Sequence, residues 1–144
     1  MFVNSPQPRS QSMLIAGIAA AMAILLCAAD ASAQSAAPDS GRSAAAGAYT
    51  ARQATQGEET FRNICGNCHG TAEFSGPTFR KTWSGRSVYA LFDQLRNSMP
   101  LDNPGGLSPE EYVAVIAYVL KLNQYPPGSS ELPITDAALK LITF

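Results

Sequence analysis

The chain of 144 residues carries 10 Lys+Arg against 11 Asp+Glu, a balance that leaves neither a basic footprint for nucleic acid nor a polybasic face for a membrane surface. The length allows one domain, and 46% hydrophobic residues suffice for a core, although Ala concentrated near the N-terminus inflates that figure. Three Cys cannot build a disulfide framework.

Arg9 is the one charge ahead of an apolar run over residues 13–29, which exits through Ala31-Ser32-Ala33. A positive start, an apolar middle and a small-x-small exit define a secretory signal peptide over residues 1–33, with Gln34 as the new N-terminus and the periplasm as destination. The run also reaches the lower limit of a membrane span, so an uncleaved anchor is the alternative. Cys27 follows Leu26, where a lipidation signal wants a small residue, and is read as part of the discarded segment. Residues 34–51, QSAAPDSGRSAAAGAYTA, show no apolar period and are expected to form a flexible leader, which leaves 52–144 as the folded domain.

A first helix is expected over residues 52–63, with Gly57, Phe61 and Ile64 at helical spacing. Gly57 costs about 1 kcal/mol in a helix interior, which the close approach of another element would explain; a frayed, poorly formed turn is the plain alternative. Residues 65–86 read as loop with short helical turns at most, being rich in Gly, Pro and Ser. A second helix over 87–97 follows from Val88, Leu91, Phe92 and Leu95 at i, i+3, i+4 and i+7 and ends before Met99-Pro100. After a turn-rich loop over 99–107, Ser108, Pro109 and Glu111 open a third helix with a capping box. Its core stripe is Tyr112, Val115, Ile116 and Val119, widened by Val113 and Leu120, and Asn123 with the Tyr125-Pro126-Pro127-Gly128 run stops it. A short last helix over 136–142 is capped by Thr135, with Leu139 and Ile142 docking back on the domain. No strand signal competes, so the expected class is all-α: three core helices, long ordered loops and a short C-terminal helix.

The chemistry is concentrated in Cys65-Gly66-Asn67-Cys68-His69. C-x-x-C-H is the spacing that attaches c-type haem. Two thiols three positions apart can add to the vinyl groups of one porphyrin edge, and the adjacent His then reaches the iron. Attachment of this kind is made outside the cytoplasm, in keeping with the signal peptide. A structural zinc site wants four Cys/His ligands, and residues 34–144 supply three. A thioredoxin-like pair needs a βαβ context that the pattern lacks, and a Cys65–Cys68 disulfide would close too small a loop to stabilise much. Met99 is the one Met beyond the signal peptide. With no second His in the chain, it is the expected sulfur donor opposite His69, and His/Met ligation raises the potential to suit one-electron transfer. Its ordinary alternative is a core gap-filler.

On these residues the chain resembles the class I c-type cytochromes, small monohaem electron carriers, over roughly residues 55–123. Gly57 and Phe61 match the N-terminal helix that precedes C-x-x-C-H in that family, and Tyr118 matches the aromatic on the C-terminal helix it crosses. The resemblance implies that Pro77, in Gly76-Pro77, offers its carbonyl to the His69 ring N–H, and that Asn97-Ser98-Met99-Pro100 is the distal ligand loop. Residues 99–133 are similar, more particularly, to cytochrome c partners of periplasmic quinoprotein (PQQ-type) dehydrogenases. Trp83 is a candidate for the haem environment, through a propionate or the ring edge. Arg80, Lys81 and Arg86 are candidates for propionate pairing or simply a solvated loop face. Phe74, Phe79, Leu91, Phe92, Leu95 and Ile116 belong to core or haem pocket.

The expectation is a periplasmic monomer with one covalent haem c, anchored by Cys65 and Cys68 and ligated by His69 and Met99. It would pass electrons from a dehydrogenase to a downstream cytochrome or oxidase and catalyse nothing itself. Two alternatives keep the haem: a five-coordinate enzyme or gas-binding sensor with Met99 displaced, and a membrane-tethered cytochrome subunit of a dehydrogenase complex.

Overall fold

The computed structural model describes residues 42–144; the expected signal segment and residues 34–41 of the leader lie outside the described residues. In chain order come strand β1 (Arg42–Ser43), a 3-10 turn (Ala44–Ala46), helix α1 (Ala51–Asn63), two further 3-10 turns (Cys65–Asn67 and Thr71–Phe74), α2 (Gly76–Trp83), α3 (Val88–Ser98), α4 (Pro109–Leu122), α5 (Asp136–Lys140) and strand β2 (Ile142–Thr143). Helices carry this fold, as the sequence pattern requires, and the two strands are two residues each.

The centre of the core is α4, in which every residue from Tyr112 to Leu120 is buried. A helix apolar on all sides must be surrounded by other elements. Its start is fixed by a reciprocal capping box: Glu111 N–H donates to Ser108 Oγ at 3.2 Å, and Ser108 N–H donates to Glu111 Oε2 at 2.8 Å. On one side lies α1, begun by Thr50, whose hydroxyl accepts from Gln53 N–H at 3.1 Å. Gly57 explains itself here. A Cβ at that position would stand 1.7 Å from the Ala114 carbonyl oxygen, so the two helices touch backbone to backbone. One turn further on, the Phe61 and Tyr118 rings pack with centroids 5.5 Å apart. On another side α3 buries Val88, Leu91 and Phe92, with the Phe92 ring meeting Tyr112 edge-on at 6.1 Å.

Three expectations need correction. Residues 65–86 are not only loop: α2 occupies Gly76–Trp83. Pro77 sits at its start, where a fixed φ and a missing N–H cost nothing, and Phe79 and Trp83, four apart, supply the buried face. With only two buried residues, that face is too short to register as a period among Gly, Pro and Ser.

The leader, secondly, is ordered from Arg42 onward. Ala44, Ala48 and Tyr49 are buried, and β1 pairs with β2 in parallel, Arg42 opposite Ile142 and Ser43 opposite Thr143. Gly128 N–H donates to the Tyr49 carbonyl at 2.6 Å, and Tyr49 Oη donates to the Tyr125 carbonyl at 2.7 Å. A Cβ on Gly128 would lie 2.0 Å from the Gly47 carbonyl oxygen, so small residues are what lets the two segments meet. Surface that the leader could not bury by itself is buried against the C-terminal tail. Thirdly, strands are present, and the last helix stops at Lys140 because Ile142 leaves it to join β2. Leu139 and Ile142 are both fully buried, so the expected docking of the tail holds.

Candidate functional site

Helix α1 ends where Ile64 N–H donates to the Thr60 carbonyl at 3.0 Å, and the chain turns at once into the 3-10 turn Cys65–Asn67. The Cys65 carbonyl then accepts from both Cys68 N–H at 3.1 Å and His69 N–H at 2.9 Å. One carbonyl thus gathers all three residues of the C-x-x-C-H motif into a single corner. Both thiols are uncombined, Cys65 half-buried and Cys68 exposed. Cys65 packs against the small cluster of Phe61, Val115 and Tyr118. Burial pushes its thiol above the ordinary range, opposed by a backbone hydrogen bond.

The His69 ring is held on two sides. Its Nδ1 lies 3.0 Å from Glu73 Oε2, and the Phe74 ring meets it edge-on at 5.4 Å. Among the described residues no hydrogen bond engages Nε2, the nitrogen remote from the backbone. Glu73 is anchored at both oxygens, because Oε1 accepts from Gly70 N–H at 2.8 Å. The His69 bond first, and the Gly70 N–H after it, hold the Glu73 carboxyl below the usual carboxylate range. Asn123, buried at the end of α4, locks the segment that follows. Its Nδ2 donates to the Phe74 carbonyl at 2.7 Å and to Val119 at 2.9 Å, while its Oδ1 accepts from Gly76 N–H at 3.2 Å.

The remaining expected residues stand on other elements. Met99 is the half-buried residue after α3, its N–H donating to the Leu95 carbonyl at 2.8 Å. Tyr112 Oη donates to the Met99 carbonyl at 2.6 Å and so ties the loop to the first turn of α4. Pro77 is exposed in the first turn of α2. The acceptor facing His69 Nδ1 is the Glu73 carboxylate, and not the Pro77 carbonyl expected from the resemblance; a carbonyl in a first helical turn is directed along the axis to the amide four residues on. Trp83 is buried in the main core, its ring 6.0 Å from Phe79 and 5.8 Å from Phe144, with the Arg86 guanidinium over it at 4.3 Å. Arg80 and Lys81 are exposed.

Glu73, Asn123 and Tyr112 acquire site roles that the sequence did not signal. Glu73 and Asn123 lie four residues after His69 and just past the last apolar position of α4, spacings with many uses. Tyr112 was expected in the core stripe, where its ring does sit, but a stripe says nothing about where the hydroxyl ends.

The donor set suits covalent haem: two uncombined thiols at attachment spacing in one turn, beside an imidazole whose far nitrogen is not engaged. Among the described residues no group of three or more His, Cys, Asp or Glu is placed to hold a metal ion. Comparison with known proteins points the same way. Residues 52–119 match the family model described as cytochrome c oxidase, cbb3-type, subunit III. The chain carries a c-type cytochrome domain, a class that binds haem c covalently and transfers electrons through it. No curated protein and no solved structure matches the chain. Among the described residues no helix is long and apolar enough to cross a membrane.

Proposed function

We propose that the domain works as a periplasmic one-electron carrier, with haem c attached through Cys65 and Cys68 and ligated by His69 and Met99. The observation that carries the reading is the corner built on the Cys65 carbonyl, which gathers Cys65, Cys68 and His69 within one turn. When bound, the haem supplies reversible one-electron exchange between ferric and ferrous iron. The chain's part is to fix the imidazole through Glu73 and Phe74, to brace that segment with Asn123, and to hold the Met99 loop through the Tyr112 hydroxyl. His69 and Met99 would hold the iron with this chain's own side chains, and a haem held so would exchange electrons, the chemistry of a carrier. The donor in this reading is a periplasmic dehydrogenase, of the quinoprotein type that residues 99–133 resemble, and the acceptor a downstream cytochrome or oxidase. Residues 1–33 serve as the export signal, and the folded protein begins within the stretch that follows.

The test is the visible spectrum of the protein matured in a host able to attach haem c, recorded in both oxidation states. A far-red charge-transfer band in the oxidised form, together with slow cyanide binding, is expected from His69/Met99 ligation. Met99→Ala should keep the haem attached, abolish that band, lower the reduction potential and admit cyanide readily. An unchanged spectrum and potential in that variant would refute the Met99 assignment. A wild-type spectrum without the band and with ready cyanide binding would favour the five-coordinate alternative.

A further inference from the structure

We infer that Glu73 is the positioning residue for the iron-ligating imidazole, and that it sets the potential of the centre through a carboxylate where a backbone carbonyl would otherwise serve. The inference rests on the reading of His69 as an axial ligand. Three observations carry it. The Glu73 Oε2–His69 Nδ1 distance is 3.0 Å, and Nε2 is left for a metal. The carboxylate is not free to swing away, because Oε1 is held at 2.8 Å by Gly70 N–H while Glu73 N–H donates to the Gly70 carbonyl at 3.1 Å. Among the described residues no hydrogen bond joins His69 to Pro77, which lies in the first turn of α2, while Asn123 clamps the entrance to that helix through Phe74 and Gly76.

The chemical consequence has a definite sign. A carboxylate accepting the Nδ1 proton shifts negative charge onto the ring and makes Nε2 a stronger donor than a carbonyl acceptor would. A stronger donor stabilises ferric over ferrous iron and lowers the potential. Glu73 would therefore hold the centre below the potential that the same His/Met pair would have with a neutral acceptor.

The experiment compares wild type, Glu73→Gln and Glu73→Asp as full-length secreted chains matured with haem c. Covalent haem is verified first by mass; then the reduction potential and the NMR shift of the His69 Nδ1 proton in the ferrous state are measured. Glu73→Gln keeps the size of the side chain but offers one acceptor oxygen to two donors. It should raise the potential and move the Nδ1 proton upfield. Glu73→Asp keeps the charge but withdraws the carboxylate by one carbon. It should shift both quantities in the same direction by less, and it carries the test if the glutamine variant does not mature. Haem attached with both quantities unmoved would overturn the inference and leave the carrier reading standing. A raised potential with an unmoved Nδ1 proton would also overturn it, because a charge acting through space alters the potential without touching the ring proton. Wild-type protein lacking covalent haem would overturn the proposed function itself.

Discussion

Tyr49 shows what a single side chain contributes once its surroundings are known. Its ring is buried and its hydroxyl donates to the Tyr125 carbonyl, so the folded state needs the phenol protonated. Burial raises its pKa above the ordinary value of about 10. The folded state thus holds this proton more tightly than the unfolded chain does. The associated stability is fully present below about pH 10 and is lost as pH rises through the folded-state value. Chemical denaturation followed from pH 8 to 11 should show stability falling above pH 10, with a shallower fall in Tyr49→Phe. At neutral pH the same variant should lose about 1 kcal/mol with its hydrogen bond. Equal slopes in the two proteins would remove Tyr49 from the account. Trp83 is a second buried ring at this scale, packed against Phe79 and Phe144 with the Arg86 guanidinium over it.

Between elements, the contact of α1 with α4 decides most. The first positions the turn that carries Cys65, Cys68 and His69; the second carries Tyr112, Tyr118 and Asn123, which reach the Met99 loop, the Phe61 ring and the proximal segment. Gly57 is the point of closest approach, and nothing at Ala114 can yield, because the obstacle is a helix carbonyl and not a flexible side-chain end. Gly57→Ala would gain about 1 kcal/mol of helix propensity yet force the helices apart, so a net loss of about 2–3 kcal/mol or more is expected. Thermal unfolding reads this directly, and an unchanged or raised Tm would mean the helices separate at little cost. The Gly was legible in the sequence as an oddity inside a helix. The identity of the atom it avoids was not.

Across the described residues, the first and the last close the fold on each other. β1 and β2 pair the first described residues with the last ones. The Gln53 amide, buried in α1, bonds both backbone groups of Leu132, with Nε2 donating to the carbonyl at 3.0 Å and Oε1 accepting from N–H at 2.8 Å. This one side chain acts as a short strand edge for a segment without regular structure. Gln53→Ala would orphan two backbone groups, each worth about 1–3 kcal/mol when buried unpaired, so a loss of about 2–4 kcal/mol is expected. Hydrogen exchange at the Leu132 amide should rise with it. If exchange there stays slow, the amide is protected by something other than Gln53. The Arg52–Glu131 ion pair beside it is exposed and contributes little by comparison.

The sequence by itself determined the features that depend on neighbours a few positions away. The C-x-x-C-H corner, the capping box at Ser108 and Glu111, the apolar stripes of α3 and α4, and the stop at Met99-Pro100 are all set by local spacing, and local spacing survives in a string of letters. The tertiary structure alone decided what depends on where remote segments meet. Ala44 and Tyr49 are ordered because a tail nearly a whole chain away covers them. The Gln53 amide finds Leu132 because α1 lies against the tail, and the Tyr112 hydroxyl finds Met99 because two helices pack side by side. Burial and hydrogen-bond pairing are properties of surroundings, and for these residues the surroundings come from segments that are not their neighbours along the chain.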